Sequence, residues 1–97
     1  MLDHNAKRLL WFLFAGSKGA RNRIRIIDIL RDRPSNINQL SEALGLDYKG
    51  VLHHISVLEK NNLVTKAGEK YGVLYFIFDY LQYNLVTYEE VISKIVK

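Results

Sequence analysis

Apolar positions between residues 35 and 61 recur at helical spacing in two short stretches separated by a tight break. Leu40, Ala43 and Leu44 mark the inner face of a helix from about Asn38 to Leu44. Val51, Ile55 and Leu58, at i, i+4 and i+7, mark a second from about Tyr48 to Asn61. Gly45 can take the left-handed conformation that ends the first, and Asp47 can cap the free N–H groups opening the second. So short a connection makes the helices cross, the geometry by which a second helix reaches a DNA major groove.

The flanking pattern completes a mainly α, α+β domain. Residues 2–14 are apolar nearly all round, with Leu2, Ala6, Leu9 and Leu13 in one stripe and Leu10, Trp11, Phe12 and Phe14 around the rest. Such a helix must be covered on both sides, and a chain this short implies a second subunit on one of them. Residues 16–20 (GSKGA) break it. Arg21–Arg33 is the next helix, striped by Ile24, Ile27 and Leu30 and closed by Pro34. Asn36–Asn38 reads as extended, fit for a short edge strand. Residues 63–67 (LVTKA) and 73–78 (VLYFIF) are strand-like runs around a loop bounded by Gly68 and Gly72, a hairpin placed to act as a wing. Beyond it, Leu81, Leu85, Tyr88, Ile92 and Ile95 alternate spacings of four and three, a seam of the kind two helices share. Two candidate capping boxes, Asp79 with Gln82 and Thr87 with Glu90, leave open one helix from Tyr80 to Val96 or a break near Asn84 with a restart at Thr87. The expected organisation is a single winged-helix domain over 1–97: an N-terminal helix (1–15), a core (20–78) and a C-terminal helical segment (79–97).

Composition narrows the function. At 97 residues, 48% hydrophobic and 25% charged, the chain suits one folded domain. The net charge of +4 is uneven: residues 1–33 hold eight Lys/Arg against three Asp, residues 34–97 six Lys against seven acids. Attraction to a polyanion therefore resides mostly in the first third. With no cysteine, disulfides, thiolate metal sites and cysteine nucleophiles are excluded. Leu9–Ala15 is too short to span a bilayer. It has the flavour of a signal-peptide core after Lys7 and Arg8, but Asp3 in the leader speaks for a chain retained in the cytoplasm.

The order helix, helix, strand, helix, helix, hairpin, helix, with RNRIRIIDIL, NINQLSEALGLDYKGVLHHISVLEKNNLV and KYGVLYFI, resembles the ArsR-like winged helix-turn-helix transcriptional regulators. The string DYK-x-V-x-H-H-x-x-VLE-x-N is closer to a group of small archaeal members. The resemblance covers roughly residues 20–78 and implies a homodimer that binds double-stranded DNA, its terminal helices forming the two-fold contact. Three departures stand out. Gly50 replaces a common Thr at a cost of roughly 1 kcal/mol of helix propensity. Leu52 makes one groove-facing slot apolar. The thiolate motif of metal-sensing members is absent, so no metal or other cofactor is expected.

On a helical wheel, Lys49, His53, Ser56 and Lys60 lie opposite the core stripe, with Tyr48 and Leu52 at the edge. Lys49 and His53 are the first candidates for base edges or nearby phosphates; the competing explanation is an ordinary solvated face. Arg21 and Arg23 at a helix start, Gln39 and Ser41 on the first motif helix, and Lys66 and Lys70 in the wing are candidate phosphate contacts. His54 lies about 60° from the core centre and is expected to hydrogen-bond within the domain; adjacent histidines cannot chelate one metal as an i, i+4 pair can. Leu2, Leu9, Leu10, Leu13, Leu81, Leu85, Tyr88, Ile92 and Ile95 are the expected dimer interface. No carboxylate pair, Ser/His/Asp set or phosphate-cradling glycine loop points to an enzyme. The rival reading is a winged helix used as a protein-docking module with little DNA affinity; a third, contact of Leu9–Phe14 with a membrane surface, is weaker.

Overall fold

The computed structural model describes residues 4–69 and 72–95, leaving Leu2, Lys70 and Tyr71 outside. Six helices and one hairpin follow in order: α1 His4–Phe14, α2 Ala20–Asp32, α3 Ile37–Leu44, α4 Tyr48–Lys60, β1 Val64–Ala67, β2 Leu74–Ile77, α5 Asp79–Tyr83 and α6 Leu85–Ser93. This is a winged helix-turn-helix, mainly helical. The strands pair antiparallel, Val64 opposite Ile77 and Ala67 opposite Leu74. Ser35 adds a one-residue third edge, exchanging two backbone hydrogen bonds with Tyr75 at 3.0 and 2.8 Å.

Helix α2 is the central strut, packed against α1, α3, α4 and β2. Its Ile26, Ile27 and Leu30 meet Leu40 and Leu44 of α3, Val51, Ile55 and Leu58 of α4, and Tyr75 and Ile77 of β2 in one buried core. Full burial of each such aliphatic side chain is worth about 1.5–3 kcal/mol, so the stripe of α4 locks that helix's rotation. Ala43, expected on the inner face of α3, is exposed. The core side of so short a helix is narrow, and Leu40 and Leu44 fill it.

The helix-turn-helix junction is held by local chemistry. Gly45 ends α3 at φ 69°, and the Asp47 side chain accepts from the Gly50 amide at 2.9 Å. A side chain at position 50 would place its Cβ 2.7 Å from Asp47 Oδ1. Gly50 thus makes room for the cap, a compensation for its poor helix propensity.

Two local readings are corrected. Asn36 is the N-cap of α3, not edge strand: its Oδ1 accepts from Gln39 N at 2.7 Å, and Gln39 Oε1 accepts from Asn36 N at 2.8 Å. The extended bridge belongs to Ser35, one residue earlier. The C-terminal segment does break at Asn84, but neither expected capping box forms; Phe78 and Asn84 are the N-caps, without side-chain cap bonds. Asn84 instead turns its amide back to the Tyr80 carbonyl at 2.8 Å.

The terminal helices pack on each other within the chain. Leu10, Leu13 and Phe14 of α1, Leu81 of α5 and Tyr88 and Val91 of α6 are buried, and the Phe14 and Tyr88 rings meet edge to face at 4.9 Å. Arg31 of α2 pairs with Glu89 of α6 at 3.0 Å on the surface. Leu10, Leu13, Leu81 and Tyr88 are therefore core residues and unavailable to a partner. Of the expected interface, Leu9, Leu85 and Ile92 are half-buried and Ile95 is exposed. Large apolar groups of these helices that face outward include Trp11, Phe12, Tyr83 and Val86, the last two 85% and 75% exposed.

Candidate nucleic-acid interface

With Val51, Ile55 and Leu58 turned inward, α4 presents Tyr48, Lys49, Leu52, His53, Ser56 and Lys60 outward, and all six are exposed. Among the described residues, the side chains of Lys49, Ser56 and Lys60 enter no hydrogen bond or ion pair. The chain continues from this helix through the turn at Asn62 (φ 63°) into the hairpin. On β1, Lys66 is exposed and 3.9 Å from Glu59 of α4, a loose pair. Exposed ion pairs of this length contribute little, so Lys66 is available to another anion.

Three of the expected phosphate contacts fare differently. Arg21 is exposed at the start of α2. Gln39 is exposed and spends only its carbonyl oxygen on the cap, which leaves its amide donors free. Ser41 donates its hydroxyl to the Leu46 carbonyl, bracing the turn between α3 and α4. A phosphate oxygen needs a donor, and that proton is already committed.

Arg23 is not a surface cation. It is 4% exposed; its Nε donates to the Leu13 carbonyl at 2.9 Å, and its Nη2 to Ser17 Oγ and to the Lys18 carbonyl at 3.3 Å. It joins the end of α1 to the start of α2. Arg25, passed over in the sequence reading, makes a similar tie, with Nη2 donating to the Leu44 carbonyl at the end of α3, 3.2 Å. Both close orphan carbonyls in or beside helix C-termini, where a guanidinium is favoured.

His54 sits on the inner flank of α4 against the α1–α2 turn. Its Nδ1 is buried and has no partner among the described residues, contrary to the expected hydrogen bond. Gly19 (φ 88°) makes this contact possible, since a Cβ there would lie 2.7 Å from His54 Cε1 and 3.2 Å from Arg23 Nη1. Burial, then the charges of Arg23 and His53, pull the His54 pKa below 6.5. The unfolded chain therefore takes up this proton first as pH falls. Stability is full above the ordinary histidine range and declines as pH drops below it. His54→Gln should flatten that decline between pH 7 and 5.5, read as urea midpoints; parallel declines in both proteins would show that the group does not contribute.

Among the described residues no cluster of three His, Cys, Asp or Glu comes together, and no helix is long and apolar enough to cross a membrane.

The fold and the exposed second helix define the winged helix-turn-helix class. Residues 21–66, just under half of the chain, match the model of the family described as bacterial regulatory protein, arsR family. The structure is similar to that of Rv0081 from M. tuberculosis (19% identity, TM-score 0.72, 95% of this chain and 90% of that one). It is also similar to HlyU from Vibrio cholerae (19%, 0.67, 97% and 94%). A third likeness is to Mb0332 from Mycobacterium bovis (20%, 0.66, 97% and 88%), described as a homodimeric winged helix-turn-helix DNA-binding domain. At these identities the likeness concerns the fold. No curated protein matches the sequence.

Proposed function

We propose that the chain is a sequence-specific regulator of transcription that binds double-stranded DNA as a homodimer, a single domain working in the cytoplasm and akin to the small archaeal ArsR-like regulators. The observation that carries this reading is the outer face of α4, six exposed side chains backed by a rigid core stripe. Lys49 and His53 face base edges; Tyr48, Leu52, Ser56 and Lys60 border them; Arg21, Gln39 and Lys66 hold phosphates, and Lys70, outside the described residues, is a further candidate. Trp11 and Phe12 of α1, together with Tyr83, Val86 and Ile95 at the C-terminal end, supply the apolar surface for the second copy, in place of the residues α1 and α6 bury against each other. The Mycobacterium bovis domain, described as homodimeric, supports a dimer.

A two-fold dimer places two copies of α4 in successive major grooves, so the operator is a near-palindrome with half-sites roughly 10 bp or a multiple apart. Selection from random duplexes should enrich such a sequence, and the sized complex should hold two chains. Affinity should fall steeply with added salt, because each neutralised phosphate releases counterions. A flat salt response without enrichment would rule the reading out. Exposed Leu52 favours the second reading, a protein-docking face. Capture of a protein partner by a chain that a DNA column does not retain would establish it.

A further inference from the structure

Among the aliphatic side chains of α4, Leu52 alone is exposed: 38% of it faces outward, whereas Val51, Ile55 and Leu58 are completely buried. A single exposed leucine on a protein surface is ordinary. This one differs in its surroundings. Lys49 lies three residues before it, His53 directly after it and Ser56 four residues after it, and all three are exposed. Tyr48, four residues earlier and also exposed, extends the apolar surface along the same flank. Glu59 is the sole carboxylate of α4, and it faces Lys66 of β1 at 3.9 Å. The result is a small apolar spot edged by hydrogen-bond donors and by no acid.

Such a spot fits a partner that sets an apolar group among acceptors. A hydrocarbon-lined protein groove would desolvate the Lys49 ammonium and leave it unpaired. The DNA major groove offers the opposite pattern. Its floor is polar and its rims carry phosphates. The one apolar group on its floor is the C5-methyl of thymine, beside the thymine O4 acceptor. A leucine makes no hydrogen bond, so it distinguishes bases only through that methyl; cytosine presents an N4 donor and no methyl there.

We propose that Leu52 is a specificity-determining residue that packs on the C5-methyl of a thymine in each operator half-site, while Lys49 and His53 meet the acceptors around it. Given the regulator reading, on which this rests, each half-site holds a thymine within reach of the second turn of α4. The operator obtained by selection is resynthesised with deoxyuridine at each thymine in turn. That exchange removes the methyl and leaves every base-pair hydrogen bond in place. Each duplex is titrated with the parent protein and with Leu52→Ala. At the contacted thymine the exchange should weaken the parent about fourfold, the value of one methyl group left in water. Leu52→Ala should lose at least that factor on the thymine duplex and be indifferent to uracil at the same place, the coupling that a double-mutant cycle reads. Alanine is the better helix former, so the variant should fold as the parent does. Its salt slope should be unchanged, because no phosphate contact is removed. If parent and variant respond alike to every uracil duplex, or neither responds, Leu52 is an ordinary surface leucine and the regulator reading stands. If no duplex is enriched, both fall, and a protein partner lost with Leu52→Ala identifies the face as a docking surface.

Discussion

Arg23→Ala is expected to cost about 3 kcal/mol of folding stability, the largest loss foreseen for any polar side chain in this molecule. The guanidinium is buried and donates to Leu13 O, Ser17 Oγ and Lys18 O. Truncation strands the Leu13 carbonyl inside the protein without a donor and uncouples the end of α1 from α2. For a domain near this size, such a loss lowers the melting temperature by roughly 15 °C. Arg23→Lys should recover only part of it, since an ammonium cannot reproduce the planar fork. Thermal and urea unfolding read both values. An Arg23→Ala protein within about 0.5 kcal/mol of the parent would mean that these bonds contribute nothing net. Duplex affinity measured where both proteins are folded should hardly change, which separates Arg23 from Arg21.

The second large effect belongs to recognition. Replacing Lys49 and His53 together by alanine should weaken operator binding on the order of 100-fold, at 1–3 kcal/mol for each good base contact. Loss on a random duplex should be several-fold only, because phosphate contacts carry no sequence information. Folding stability should stay within about 0.5 kcal/mol, as both side chains are exposed and support nothing in the core. Gel-shift titrations on the two duplexes give the comparison. Equal losses on both would return Lys49 and His53 to the status of a solvated polar face.

Residues close in sequence were legible from the chain alone. Val51, Ile55 and Leu58 enter the core, Gly45 and Asp47 shape the turn, and Val64–Ala67 pairs with Leu74–Ile77, because helical period, capping and turn geometry depend on neighbours a few positions away. The same local logic could have revealed the Asn36–Gln39 capping box, whose N-x-x-Q spacing was masked by reading Asn36–Asn38 as extended.

Only the tertiary structure decided what depends on distant partners. An apolar seam through Leu81, Leu85 and Tyr88 announces that something covers it, and nothing in its spacing says whether the cover is another chain or, as here, the chain's own α1. Arg23 looks like a surface cation until Leu13 and Lys18 are brought beside it; His54 acquires its unpaired, acid-sensitive setting from Gly19 and Arg23. A pocket beside the start of α3 joins Ile37, Tyr48, Lys66 and Tyr75, which no periodicity connects. Short-range chemistry shaped each element, whereas burial and charge, which act between elements, assigned the side chains their roles once the helices had crossed.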